Sequence, residues 1–151
     1  MLDLQSIEQI KQLKARYFRF LDTGNFEQLV SVFSEGVTAH FQGGYYEFKL
    51  EGRDALIGFY RDSFTSEKFG THNVHHPEIT VEGDQAQAIW YLQDTFYNLE
   101  EKRVTSGSAF YRDNYERRDG EWLITHTGYE RVFESVTALD ENQKITVRPI
   151  K

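Results

Sequence analysis

From Pro77 onward the apolar residues of this 151-residue chain fall at every second position, whereas ahead of it they recur every third or fourth. A period of two belongs to a strand with one face buried, and a period near 3.6 to an amphipathic helix. The change therefore constrains the chain to helices first and an antiparallel strand meander second, an α+β arrangement. One domain over residues 1–151 is expected from the length.

The helical part opens with Ser6 to Gln9 (SIEQ), which has the form of a capping box, with Leu4 ahead of it. Ile7, Ile10, Leu13, Tyr17 and Leu21 then mark one face of a helix that runs to about Asp22 and stops at Thr23 and Gly24. A second helix is expected over 25–33, with Phe26, Leu29, Val30 and Phe33 inward. A strand is expected over 37–41, broken by Gly43 and Gly44, and a third helix over 53–64. In the strand part, Ile79 and Val81 lead to a turn at 82–84. Ala86, Ala88, Trp90, Leu92, Asp94 and Phe96 then share one face. Long strands follow over 104–118 and 122–135, joined by a hairpin turn at Asp119 and Gly120. Gly107 and Gly128 are candidates for bulges that curl the sheet. Residues 137–151 are more polar, either a loose tail or an extension over a neighbouring subunit through Ile145, Val147 and Ile150.

Aromatic residues make up 15% of the chain, with twelve Phe and nine Tyr, which suits a sheet wrapped around an apolar cavity. The chain has no cysteine, so disulfides and thiolate chemistry are excluded. A net charge of −7 argues against a nucleic-acid partner. No apolar run has membrane-spanning length, and the acidic N-terminus lacks a secretory pattern, so a cytoplasmic location is expected.

Five ionisable residues stand where solvated charges are not expected. Tyr17 lies on the apolar stripe of the first helix and Asp22 in its last turn, where a carboxylate opposes the macrodipole. His72 is placed just ahead of a strand, while Asp94 and Arg131 interrupt apolar or aromatic strand faces, Arg131 with Tyr129 and Phe133. A charge on an inward face is costly unless paired, so the set points to a buried polar site. His72 is the natural general base, with Asp22 or Asp94 to orient it. Arg131 can neutralise either acid or hold an anionic oxygen of a ligand. His72 and His76 share strand parity, but no carboxylate or thiolate pattern accompanies them, so no metal is expected. There is no phosphate-cradling glycine loop and no serine elbow. The toolkit is acid, base and electrostatic, with no cofactor.

The runs Ile7 to Asp22 (IEQIKQLKARYFRFLD), Pro77 to Val81 (PEITV), Trp90 to Asp94 (WYLQD), Ala109 to Trp122 (AFYRDNYERRDGEW) and Thr127 to Arg131 (TGYER) carry a family resemblance over nearly the whole chain. It resembles the SnoaL-like proteins of the nuclear-transport-factor-2-like superfamily, and within them the bile acid 7α-dehydratase group. The resemblance implies a cone-shaped α+β barrel around an apolar pocket, and a homodimer or homotrimer. It assigns function to Tyr17, Asp22, His72, Asp94 and Arg131, with His40, Phe41, Trp90, Phe110 and Tyr129 as substrate lining. Phe41 stands where a tyrosine is expected, and the 94–109 loop is shorter than in the bile acid enzymes. The expected activity is a cofactor-independent dehydratase acting on a hydrophobic hydroxy-enone, steroid- or bile-acid-like. The alternatives are another reaction on this scaffold, a non-catalytic small-molecule-binding protein, or a small-subunit-like partner of an oxygenase.

Overall fold

The computed structural model describes residues 1–150. Helix α1 spans Leu4–Asp22, and its cap is Asp3, not Ser6. Asp3 Oδ1 accepts the Ser6 N–H at 3.0 Å and Oδ2 accepts the Ser6 hydroxyl at 2.7 Å. A carboxylate already satisfies the free N–H groups one turn earlier, so Ser6 is drawn inside the helix and buried. The helix stops where expected, with Gly24 at φ +68°.

The second helix is one turn, α2 (Phe26–Leu29), followed by a 3₁₀ turn over Val30–Val32. Two β-branched valines disfavour a longer helix. Strand β1 consequently begins at Phe33 and runs to Gln42, earlier than the alternation alone indicated. A short, largely exposed strand β2 (Glu47–Glu51) was not expected; it pairs antiparallel with β1 at the sheet edge. Its alternating charges blunt that edge. Helix α3 spans Arg53–Ser63.

Strand β3 covers Lys68–Glu82, so His72 lies within it and not ahead of it. Pro77 sits at a break in register between His75 and Glu78, beside His76 at φ +49°. A proline has no ladder N–H to give, and the bulge absorbs it. Strands β4 (Gln85–Asn98), β5 (Arg103–Arg118) and β6 (Glu121–Ala138) complete the meander.

The sheet has six strands in the order β2-β1-β6-β5-β4-β3, antiparallel except for the parallel β1–β6 pair. It is curved but open, with β2 and β3 as free edges, so the expected barrel is a cone that does not close. Helix α1 packs on β3 and α3 on β1, which covers the concave face from both sides. Gly128 permits the parallel pairing: a Cβ there would lie 2.4 Å from the His40 carbonyl oxygen.

The concave face carries the core. Ala86, Ala88, Trp90 and Leu92 of β4 and Ala109, Tyr111 and Tyr115 of β5 face it, all buried. Aromatic rings crowd this interior. Tyr17 meets Phe18, Phe33, Tyr60 and Tyr111 edge-on at centroid distances of 4.5–6.4 Å. Phe41 lies 5.2 Å from Tyr129 and 5.9 Å from Phe59. Aromatic side chains bury a large area each and interlock edge to face, so they close on one another.

Near the end of the described residues the chain packs back on itself. Ile150 packs against the core and reaches Gly24, where a Cβ would lie 2.4 Å from it. Arg148 bonds Glu67 at 2.6 Å. Val147 alone of the expected apolar contacts is strongly exposed.

Candidate active site

Two charged groups occupy the open end of the concave face. In the first, His72 Nδ1 lies 2.5 Å from Asp22 Oδ1, and the His72 backbone N–H donates to Asp22 Oδ2 at 2.9 Å. These two donors offset the macrodipole penalty of a carboxylate at the last position of α1. With Nδ1–H given to the carboxylate, a neutral imidazole carries its lone pair on Nε2. No side chain among the described residues hydrogen-bonds that nitrogen. The ring is stacked on Phe18 at 4.8 Å and flanked by Phe64 at 6.0 Å. Its side chain is 11% exposed, which leaves it at the rim and not sealed.

In the second group, Arg131 holds Asp94 bidentately, Nη1 to Oδ1 at 2.5 Å and Nη2 to Oδ2 at 2.8 Å. The pairing settles which acid orients the histidine: Asp22 does, and Asp94 belongs to Arg131. Its Nε donates to Tyr46 Oη at 3.3 Å and lies 3.2 Å from Glu134 Oε2. Burial works against the Arg131 charge, but the hydrogen bonds and charge of Asp94 outweigh it and hold the guanidinium firmly protonated.

The register explains this cluster. Asp94 pairs with Gly107, and Gly107 with Glu134, so two carboxylates flank a residue with no side chain. Ser108 pairs with Phe133 but Ala109 with Arg131, so Val132 is an extra residue in β6. This bulge turns Glu134 onto the face of Arg131 and sends Phe133 outward, where it is 59% exposed. The expectation that Phe133 shares the Arg131 face fails for that reason.

Tyr17 lies deeper, fully buried, its hydroxyl 2.5 Å from that of Tyr60. Burial pushes both phenols well above the usual tyrosine range, and neighbouring phenols add to it. Both hydroxyls therefore stay protonated at neutral pH and serve as donors. The Phe18 ring stands between the Tyr17 and His72 rings, 4.5 Å from one and 4.8 Å from the other.

The expected lining separates into two sets. Tyr129 is at the site, its hydroxyl 2.8 Å from that of Tyr46. Phe41 is on the inner face but locked among rings. Trp90 also faces inward, about 13 Å along β4 from Asp94, and donates to Tyr115 Oη at 3.0 Å. His40 and Phe110 are on the other face of the sheet. They border an outer groove of about 340 Å³ with Arg112 and His126, and His40 bonds Glu47 at 2.8 Å. Strand parity puts them there: Ala39 and Phe41 face in, so His40 faces out.

Sequence reasoning also missed an ion pair. Lys14 Nζ lies 2.7 Å from Asp113 Oδ2, both side chains fully buried. The contact is ionic, without hydrogen-bond alignment. Nζ faces the rings of Tyr111 at 3.9 Å, Tyr17 at 4.5 Å and Phe18 at 5.0 Å. Asp113 also accepts from Tyr115 at 2.7 Å and Thr127 at 2.8 Å. Burial draws the Lys14 pKa below the ordinary lysine value, with Asp113 opposing. The signal was present in the sequence. Lys14 sits within the stripe Ile10, Leu13, Tyr17, Phe18, Leu21, and Asp113 alternates with Ala109, Tyr111 and Tyr115.

Residues 3–128 match the model of the SnoaL-like domain. The chain belongs to the SnoaL-like family. Its architecture recurs in a hexachlorocyclohexane dehydrochlorinase, at 18% identity and TM-score 0.78 over 95% of this chain and 97% of the other. It recurs in a Novosphingobium aromaticivorans protein provisionally named scytalone dehydratase, at 17% identity and TM-score 0.77 over 95% and 97%. Rv3472 of Mycobacterium tuberculosis, of unknown function, shares 26% identity at TM-score 0.71 over 85% and 74%. These likenesses establish the SnoaL-like fold. No helix among the described residues is long and apolar enough to cross a membrane.

Proposed function

We propose that this SnoaL-like protein is a cofactor-independent carbon–oxygen lyase, a dehydratase of hydrophobic hydroxy-enones, with steroid- and bile-acid-like rings among the candidates. The observation that carries the reading is the Asp22–His72 pair, which leaves imidazole Nε2 free at the edge of an aromatic interior. His72 Nε2 takes a proton from the carbon next to a substrate carbonyl, and Asp22 stabilises the imidazolium. The Tyr17–Tyr60 hydroxyl pair donates to oxygen as negative charge develops there. Collapse of the enolate expels hydroxide, which leaves as water with the proton carried by His72. Asp94 and Arg131 brace the neighbouring strands. The dehydratase and dehydrochlorinase names of two structural neighbours support elimination as the reaction class.

The test is a panel of cyclic hydroxy-enones incubated in deuterated water. Elimination, or deuterium uptake next to the carbonyl, is expected. His72→Ala should lose about 10²–10⁴-fold in rate with its fold intact. Absence of both reactions across the panel, or full turnover by His72→Ala on a confirmed substrate, overturns the reading.

The ring-packed interior favours a second reading: a protein that holds an apolar metabolite, or stabilises an oxygenase, without reaction. It predicts retained ligand and no product. A homodimer or homotrimer belongs to either reading, since Phe110 and Val132 are 37% and 66% exposed on the outer sheet face. A monomer in sedimentation at micromolar concentration counts against it.

A further inference from the structure

Arginine at a catalytic rim usually suggests a handle for an anionic ligand. Here the handle is taken. Asp94 occupies both terminal nitrogens of Arg131, and Glu134 Oε2 stands 3.2 Å from Nε. The side chains of Arg131, Asp94 and Glu134 are only 8%, 6% and 11% exposed, so water screens the three charges weakly. Glu134 is fixed: its Oε1 accepts the Gly44 N–H at 3.1 Å, which ties the loop after β1 to β6. Asp22 adds a further carboxylate beside His72. Asp94 and Glu134 thus face one guanidinium, and Asp22 lies on His72, the register partner of Asp94. A groove of about 640 Å³ borders Arg131 and Glu134, walled by Gly44 and Tyr45 of the loop after β1 and by the exposed Val132, Phe133 and Val136 of β6.

We propose that Glu134 is a specificity residue: as a second carboxylate beside Arg131, in excess of the one that Asp94 already supplies, it leaves the site with surplus negative charge, so that the site takes uncharged ring compounds and rejects those presenting a carboxylate to it. Residues 132–134 make the device. Without the extra Val132 in the β6 ladder, Glu134 would face outward and Arg131 would keep Asp94 as its one carboxylate partner. The proposal deepens the lyase reading by naming the charge class of the substrate, and rests on that reading only for the location of the site. A bile-acid-like compound would have to bind with its side-chain carboxylate outside in water.

The experiment compares 2-naphthol with 2-naphthoate, one ring system carrying a hydroxyl or a carboxylate. Each is titrated into the intact protein at neutral pH, with the backbone amides of Gly44, Arg131 and Val136 followed by NMR. The naphthol should bind with shifts at these amides, and the naphthoate at least about tenfold more weakly, the size expected of uncompensated like charge. Glu134→Gln keeps the shape, removes one negative charge and should bring the ratio below about threefold. Equal or tighter naphthoate binding by the parent protein overturns the proposal without touching the lyase reading. So does a ratio unchanged in a folded Glu134→Gln protein, or naphthol binding that moves none of these amides. The parent ratio stands as a test on its own if Glu134→Gln does not fold. Loss of elimination chemistry with the ratio intact leaves the charge selection standing.

Discussion

Two ion pairs stand on the same concave face and do opposite things. Lys14–Asp113 is closed: both side chains are at 0% exposure, Asp113 has three donors around it, and rings cap the ammonium. Arg131–Asp94 is at the open end, with a second carboxylate, a phenol and a groove beside it. The first balances one charge with one and belongs to the fold. The second keeps charge left over, and its position next to the Asp22–His72 pair lets that charge act on a ligand. Burial alone does not mark a functional charge; burial combined with unbalanced charge does.

The comparison can be broken by mutation. Lys14→Met should cost the most, about 3–5 kcal/mol, because it strands the Asp113 carboxylate in the core. Lys14→Met with Asp113→Leu should recover a large part of it, since an apolar pair of similar volume removes the desolvation problem. Urea unfolding measures both, and a single-variant loss under about 1 kcal/mol would show that water reaches this pair. Asp94→Asn should cost less, about 1–3 kcal/mol, because the amide oxygen and Glu134 still serve the guanidinium. A larger loss there than for Lys14→Met reverses the assignment of the two regions.

The smallest effect is expected outside the concave face. Burial lowers the His126 pKa below 6.5, with Asp113 opposing and His40 adding to the fall. As pH drops below 6.5 the unfolded chain takes up this proton before the folded one does. Stability should therefore decline with acid from 6.5 down through the folded pKa. His126→Gln should flatten that part of a stability-against-pH curve slightly. An unchanged slope would mean that another group sets the acid limb.

Much of the fold was legible in the chain. The Ile10 to Leu21 stripe, the turn glycines at 24, 83 and 120, and the two-residue alternation from Ile79 to Trp122 gave α1, the hairpins and the inner face. These follow from local geometry, since side-chain direction repeats with the backbone. The same rule, applied to Lys14 and Asp113, would have found the sealed pair. Strand β2 was less legible, because a polar edge strand carries no buried face to betray it.

The sequence alone determined which ionisable residues stand on inward faces, because an isolated charge there disrupts a periodic pattern. It could not say which charge meets which. Asp22 meets His72 across 50 residues, and Asp94 meets Arg131 across 37. Glu134 reaches the same arginine only because one extra residue in β6 reverses its face. Partnership between distant strands depends on register, and register depends on bulges and on the packing of the whole sheet. That is why tertiary structure, and not the order of residues, decided which acid serves the histidine and whether the arginine is free.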